Sequence, residues 1–145
     1  MNILVSACLL GISCRYDGKS KPNKNILELL KKHNLIPVCP EIYGGLPTPR
    51  IPAEVKDDKV IRKDGVDVTK QYQIGAHEAL KLAKLYDIKL AILKEKSPSC
   101  GYNKIYDGSF SKNLIEKQGI TAKLFSENNI KIIGETCLNE IENLK

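Results

Sequence analysis

Two short, almost continuous apolar runs, Ile3-Leu4-Val5-Ser6-Ala7 and Leu90-Ala91-Ile92-Leu93, constrain this chain more than any other feature. A strand with one wet face alternates apolar and polar side chains. These runs do not, so both faces must be covered, as in the parallel strands of α/β proteins. Parallel strands need helical crossovers, and the chain supplies them. Ile26, Leu29, Leu30 and His33 recur at helical spacing behind Asn23, a residue suited to cap a helix. Tyr72, Ala76, Ala79, Leu80, Ala83 and Tyr86 mark a longer helix that starts near Thr69. Leu35–Val38 and Ile130–Ile133 read as further strands, the first carrying Pro37, which suits a sheet edge. A short helix over 121–127 and a last one, capped by Thr136 and running to Leu144, complete the alternation. The expected fold is α/β: a single domain over residues 1–145, an open, mostly parallel sheet with flanking helices. The stretch from Pro40 to Pro52, with four prolines and two glycines, is expected to be loop, as is Ser97 to Lys112. Val60-Ile61 and Val66-Asp67-Val68 are expected to pair as a hairpin around Asp64-Gly65.

Within that frame the cysteines fall at strand ends. Cys8 directly follows the first strand, Cys39 the second, and Cys100 comes a few residues after the third. Open α/β sheets bind ligands beyond the carboxyl ends of their strands, so these thiols can meet at one mouth. Five cysteines, an odd number, do not suggest a disulfide framework, and neither C-x-x-C nor a compact ferredoxin array is present. Thiolates bind zinc and iron–sulfur clusters, and three of them leave a fourth position open for chemistry. Glu41, two residues from Cys39, is a candidate general base, although a loop carboxylate is most often simply solvated. Ser97 and Ser99 offer hydroxyls beside Cys100 and equally fit an ordinary turn. His77 reads as a surface residue and His33 as a packed one.

The balance of 23 basic and 17 acidic side chains gives a net charge of +6, ordinarily a lysine-rich solvated surface and otherwise an attraction for anionic ligands. No run of five like charges occurs and the aromatic residues are scattered, so a dedicated nucleic-acid platform is weakly supported. Of three arginines, Arg15 and Arg50 lie close to cysteines, and Arg50 is a candidate contact for a substrate phosphate. No stretch approaches the ~20 apolar residues that cross a bilayer, and Met1–Val5 lacks the layout of a signal peptide. The expected location is the cytoplasm.

Several strings together resemble the 2-thiouracil desulfurase family over nearly the whole chain. They are Ser6-Ala7-Cys8-Leu9-Leu10-Gly11 with Cys14-Arg15-Tyr16-Asp17-Gly18, and Val38-Cys39-Pro40-Glu41 with Gly44 through Glu54. Further along stand Gly75-Ala76, Ala91-Ile92-Leu93-Lys94, Ser97-Pro98-Ser99-Cys100-Gly101, Ile105 through Phe110 and Gly119-Ile120-Thr121-Ala122. The resemblance implies a [4Fe–4S] enzyme that exchanges a thiocarbonyl sulfur for oxygen without net redox change. It implies Cys8, Cys39 and Cys100 as cluster ligands and Glu41 and Ser97 as catalytic residues, with Cys14 and Cys137 outside the ligand set. Arg50 and Ser99 are the expected substrate contacts. A free thiolated base or nucleotide is favoured over RNA, because relatives that act on RNA carry an additional domain. Two other classes stay open: a module that holds zinc or a cluster without catalysis, and a sulfurtransferase working through a cysteine persulfide.

Overall fold

The computed structural model describes residues 1–145. Four parallel strands form the central sheet: β1 (Asn2–Ser6), β2 (Asn34–Val38), β5 (Leu90–Leu93) and β8 (Lys131–Gly134), in the order β2-β1-β5-β8. β2 is an edge strand, which accommodates Pro37 opposite Val5. Successive residues point to opposite faces, and both faces are covered. Leu4, Ala91, Leu93 and Ile132 pack with Ala79, Leu80 and Ala83 of α3 (Thr69–Leu85) and with Ala122 and Phe125 of α4 (Ile120–Glu127). Ile3, Val5, Leu90, Ile92 and Ile133 pack on the other side with Ile26 of α1 (Lys24–Leu27), Leu29 and Ile141 of α5 (Leu138–Leu144). This two-sided burial is why the strands read as unbroken apolar runs. The α/β architecture is the expected one, and no helix is long and apolar enough to cross a membrane.

Outside the sheet the chain departs from expectation in five places. The proline-rich stretch after β2 contains a helix, α2 (Pro40–Tyr43); Pro40 sits in its first turn, where a missing N–H costs nothing. The hairpin is displaced one arm upstream: β3 (Ala53–Lys56) pairs with β4 (Lys59–Arg62) around Asp57-Asp58. The expected partner strand shrinks to a single bridge, Ile61 to Asp67, because the Asp67 carboxylate accepts from Thr69 N and turns the chain into α3. Residues 97–112 hold a strand, β6 (Lys104–Tyr106), paired with β7 (Leu114–Glu116); at three residues each they carry too little pattern to read. Thr136 does not cap α5 but donates its hydroxyl to Glu95. Leu30 projects to solvent, since the segment after α1 tightens to a 3₁₀ turn (Glu28–Lys31) and shifts the helical stripe.

Packing of α2 on α3 matters most for the site. The two helices meet backbone to backbone through Gly44 and Gly75: a Cβ on Gly75 would lie 1.9 Å from Pro40 O, and one on Gly44 2.0 Å from Gln71 O. Only glycine allows so close an approach.

Candidate active site and metal centre

Beyond the carboxyl ends of the sheet lies a cavity of about 560 Å³. It sits at the point where the strand order reverses, the chain leaving β1 for β2 on one side and later returning to β5 on the other, the usual ligand crevice of such sheets. Cys8, Cys39 and Cys100 all line it. Cys8 is carried by the 3₁₀ turn Ala7–Leu10, closed by Gly11 in the left-handed conformation. Cys39 is the residue from which α2 starts. Cys100 follows a turn in which Ser97 Oγ accepts from Ser99 N (3.1 Å) and Cys100 N (3.0 Å). Cys14 joins them: it is buried, lines the same cavity, and its carbonyl accepts from Cys39 Sγ at 3.8 Å. Cys137 stays outside the cavity and packs against the α1–α5 side of the core.

All five cysteines are free. At Cys14, Cys39 and Cys100 the surroundings favour the thiol over the thiolate. The hydrogen bond with Cys14, then burial and the Glu41 charge, push Cys39 up; burial and Glu41 push Cys100 up to about 12. For Cys14 the bond with Cys39 acts downward, but Cys8 and burial outweigh it and carry the thiol to about 11. Such a site accepts a metal by releasing protons, and the positive charge of iron offsets what burial opposes. Thiolates around one zinc lie within about 4 Å of one another, given Zn–S bonds of about 2.3 Å. No three His, Cys, Asp or Glu side chains are arranged to hold a single ion. Soft donors spread around a roomy cavity fit a multinuclear iron–sulfur group better than zinc.

Glu41 lines the cavity on α2. Its Oε2 accepts from Arg50 Nη2 at 2.9 Å and from the Tyr72 hydroxyl at 3.4 Å, while Oε1 has no protein partner and is not sealed from the cavity. Tyr72 is held protonated by burial and by the Glu41 charge. The remaining guanidinium bonds of Arg50 go to Cys14 O, Pro47 O and Thr48 Oγ1. Arg50 thus braces the loop that follows α2, with its side chain and that of Glu41 only 7% and 12% exposed; it still lines the cavity, and its Nε has no partner. Ser99, the other expected substrate contact, is fully buried, absent from the cavity wall and hydrogen-bonded through Oγ to Thr121 Oγ1 at 2.8 Å. Ser97 does face the cavity.

The opposite end of the sheet mouth contributes polar groups that the sequence reading missed. Lys94, just past β5, pairs with Glu135, just past β8, at 2.8 Å, and Lys94 N donates to Ser6 Oγ. Tyr72 was legible in principle, since a buried tyrosine in an Ala/Leu stripe needs a partner for its hydroxyl. Nothing local marks Lys94 or Glu135, which meet only across the sheet.

The matches to known proteins follow the same outline. Residues 3–136 match the family model described as 2-thiouracil desulfurase. YbbK, an uncharacterized protein of Bacillus subtilis (strain 168), is 41% identical over 149 residues, covering 96% of this chain and 99% of its own. The fold is similar, with a TM-score of 0.92 and 41% identity, to a solved structure of the [4Fe-4S]-dependent thiouracil desulfidase TudS (DUF523Vcz), over 98% of this chain and 95% of that one. A sheet, a cysteine-lined mouth and a family model that agree over nearly every residue leave one assignment: the chain belongs to the 2-thiouracil desulfurase family.

Proposed function

We propose that the chain is a [4Fe–4S]-dependent desulfidase that replaces the thione sulfur of a thiolated pyrimidine with oxygen. Cys8, Cys39 and Cys100 are its cluster ligands, Glu41 its base and Ser97 its proton donor. The observation that carries this reading is the arrival of three thiols from three strand ends in one cavity that also presents Glu41 and Ser97, in a chain of this family. Similarity to TudS, described as [4Fe-4S]-dependent, supports the cofactor.

The reaction is a hydrolysis: C=S and water become C=O and hydrogen sulfide, and no electrons change hands. A [4Fe–4S] cube held by Cys8, Cys39 and Cys100 would supply a Lewis-acidic iron with affinity for soft sulfur. Glu41 removes a proton from water through its free Oε1, and the water oxygen attacks the thiocarbonyl carbon. Arg50 and Tyr72, both donating to Oε2, fix the carboxylate so that Oε1 alone faces the reaction. Both lone pairs of Ser97 Oγ are taken by backbone N–H groups, so what it has to offer is its hydroxyl proton, to the ring or the departing sulfur.

The favoured substrate is a nucleoside monophosphate or its free base. Seven cationic side chains line the cavity, among them Lys21, Lys63, Lys96 and Lys112 without an ion-pair partner, against the four carboxylates Glu41, Glu54, Glu95 and Glu135. This leaves uncompensated positive charge for a phosphate. Free thiols and an iron of this kind fit a reducing cytoplasm and an oxygen-sensitive centre. The test is anaerobic reconstitution followed by incubation with 2-thiouracil, 4-thiouracil and thiouridine monophosphate. Loss of thione absorbance with matching sulfide release is expected; loaded protein that leaves all three intact refutes the reading.

A further inference from the structure

The chain has two phenylalanines, and they behave in opposite ways. Phe125 is fully buried in the core, whereas Phe110 belongs to none of the packed apolar clusters. Phe110 is half-buried and lines the cavity, presented by the loop between β6 and β7. An apolar ring that contributes to no core yet faces a ligand cavity has a reason other than stability to be there.

The loop is built to keep that ring in place. Phe110 has a φ of 56°, the left-handed region that side chains other than Asn and Asp seldom occupy. One carboxylate oxygen holds it: Glu54 Oε1, on β3, accepts from Gly108 N at 3.0 Å and from Phe110 N at 3.1 Å. Gly108 packs so tightly that a Cβ would lie 2.7 Å from Lys56 Cβ. Asp107 N donates to Asn113 O across the loop's neck, and Asp107 Oδ1 accepts from Ser109 N. Glu54 thus ties two small sheets far apart in sequence at the cavity wall, where Val55 and Val60 also pack with Ile105.

We infer that Phe110 is the platform on which the substrate's pyrimidine ring stacks, and that Glu54 is a positioning residue holding that platform at the cavity. This rests on the desulfidase reading and adds to it the residue that recognises the ring. Every pyrimidine has a π face, whether its exocyclic atom is sulfur or oxygen, so the platform binds substrate and product alike. It therefore governs ring affinity and leaves the thione chemistry to Glu41 and Ser97.

The experiment uses the cluster-loaded protein, with iron content measured for every variant, since none of the changes touches a cysteine. Phe110→Ala should raise KM for 4-thiouracil roughly ten- to hundredfold, the usual effect of losing one base–aromatic stack. The calorimetric affinity for uracil should fall by a similar factor, with kcat at saturation little changed. Phe110→Tyr should bind normally. Glu54→Ala should mimic Phe110→Ala, Glu54→Gln, which keeps an acceptor oxygen, should restore binding, and the double Ala variant should be no weaker than Phe110→Ala alone. Unchanged KM and uracil affinity in Phe110→Ala, or additive effects in the double variant, would overturn the inference while leaving the desulfidase reading intact. Loaded wild-type protein that turns over no thiopyrimidine removes both.

Discussion

Replacing Gly75 by alanine puts a methyl group where α2 and α3 leave none. The new Cβ would lie 1.9 Å from Pro40 O, and contacts below 3.0 Å are essentially never found, so α2 must retreat by at least about 1.1 Å. Two opposing effects set the stability. Alanine favours a helix interior over glycine by roughly 0.5–1 kcal/mol, and overpacking costs about 1–3 kcal/mol. The net loss is therefore small, about 0–2.5 kcal/mol. Activity has no such compensation. Pro40 is flanked by Cys39 and Glu41, so the same retreat carries a thiol and the proposed base, and stretches the 2.9 Å Arg50–Glu41 pair toward 4 Å. A displacement near 1 Å at a reacting group costs about 10²-fold. The assay pairs urea denaturation with single-turnover desulfuration at matched iron content. His77→Ala, on the exposed side of the same helix, serves as the unaffected control. Gly44→Ala, which meets Gln71 O at 2.0 Å from the other helix, should reproduce the defect. Turnover within twofold of wild type in both variants, at equal iron, would show that the close approach does not position Glu41.

Serine in place of Cys8, Cys39 or Cys100 should abolish stable cluster binding, while Cys137→Ser should retain it; visible absorbance and iron analysis after reconstitution decide. Glu41→Gln should keep the cluster and lose roughly 10²–10⁴ in single-turnover rate, and a near-normal rate would transfer the base role elsewhere. Because the proposed ligands Cys39 and Cys100 are held as thiols by their surroundings, loading releases protons and should weaken as pH falls; chelator competition at several pH values measures the slope. Exposure of loaded protein to air should bleach it and stop turnover together, followed by absorbance and activity on one sample.

The legible parts of this molecule were those set by local pattern. Unbroken apolar runs announced β1 and β5, and Pro37 announced an edge. Because parallel strands all end on the same side, cysteines placed after them were bound to share a mouth, whatever the details of packing. Features that depend on long-range partners were not legible. That Arg50 meets Glu41 and the Cys14 carbonyl could not be read from the sequence, because the fold alone brings them to its guanidinium. Ser99 looked like Ser97, its neighbour in the same motif, but the turn sends one hydroxyl toward the cavity and the other toward Thr121. Cys14, expected outside the ligand set, follows no strand, so spacing did not place it at the cavity, which it reaches by the loop after β1. The β6–β7 loop that presents Phe110 was hidden by brevity.

The three proposed ligands are separated by 31 and 61 residues, and each hangs from a different strand. A short C-x-x-C peptide can gather its metal before it has any other structure; this chain cannot. The entropy of bringing its thiols together is met by the sheet, so the cluster-free protein is already a shaped receptor and the inserted cluster acts as a probe of sheet integrity. Register slippage or fraying at any of three strand ends would reach the cofactor before it reached the core. The brown colour of a loaded sample should thus fade ahead of global unfolding, making cluster loss an early warning of sheet damage that ordinary melting curves would miss.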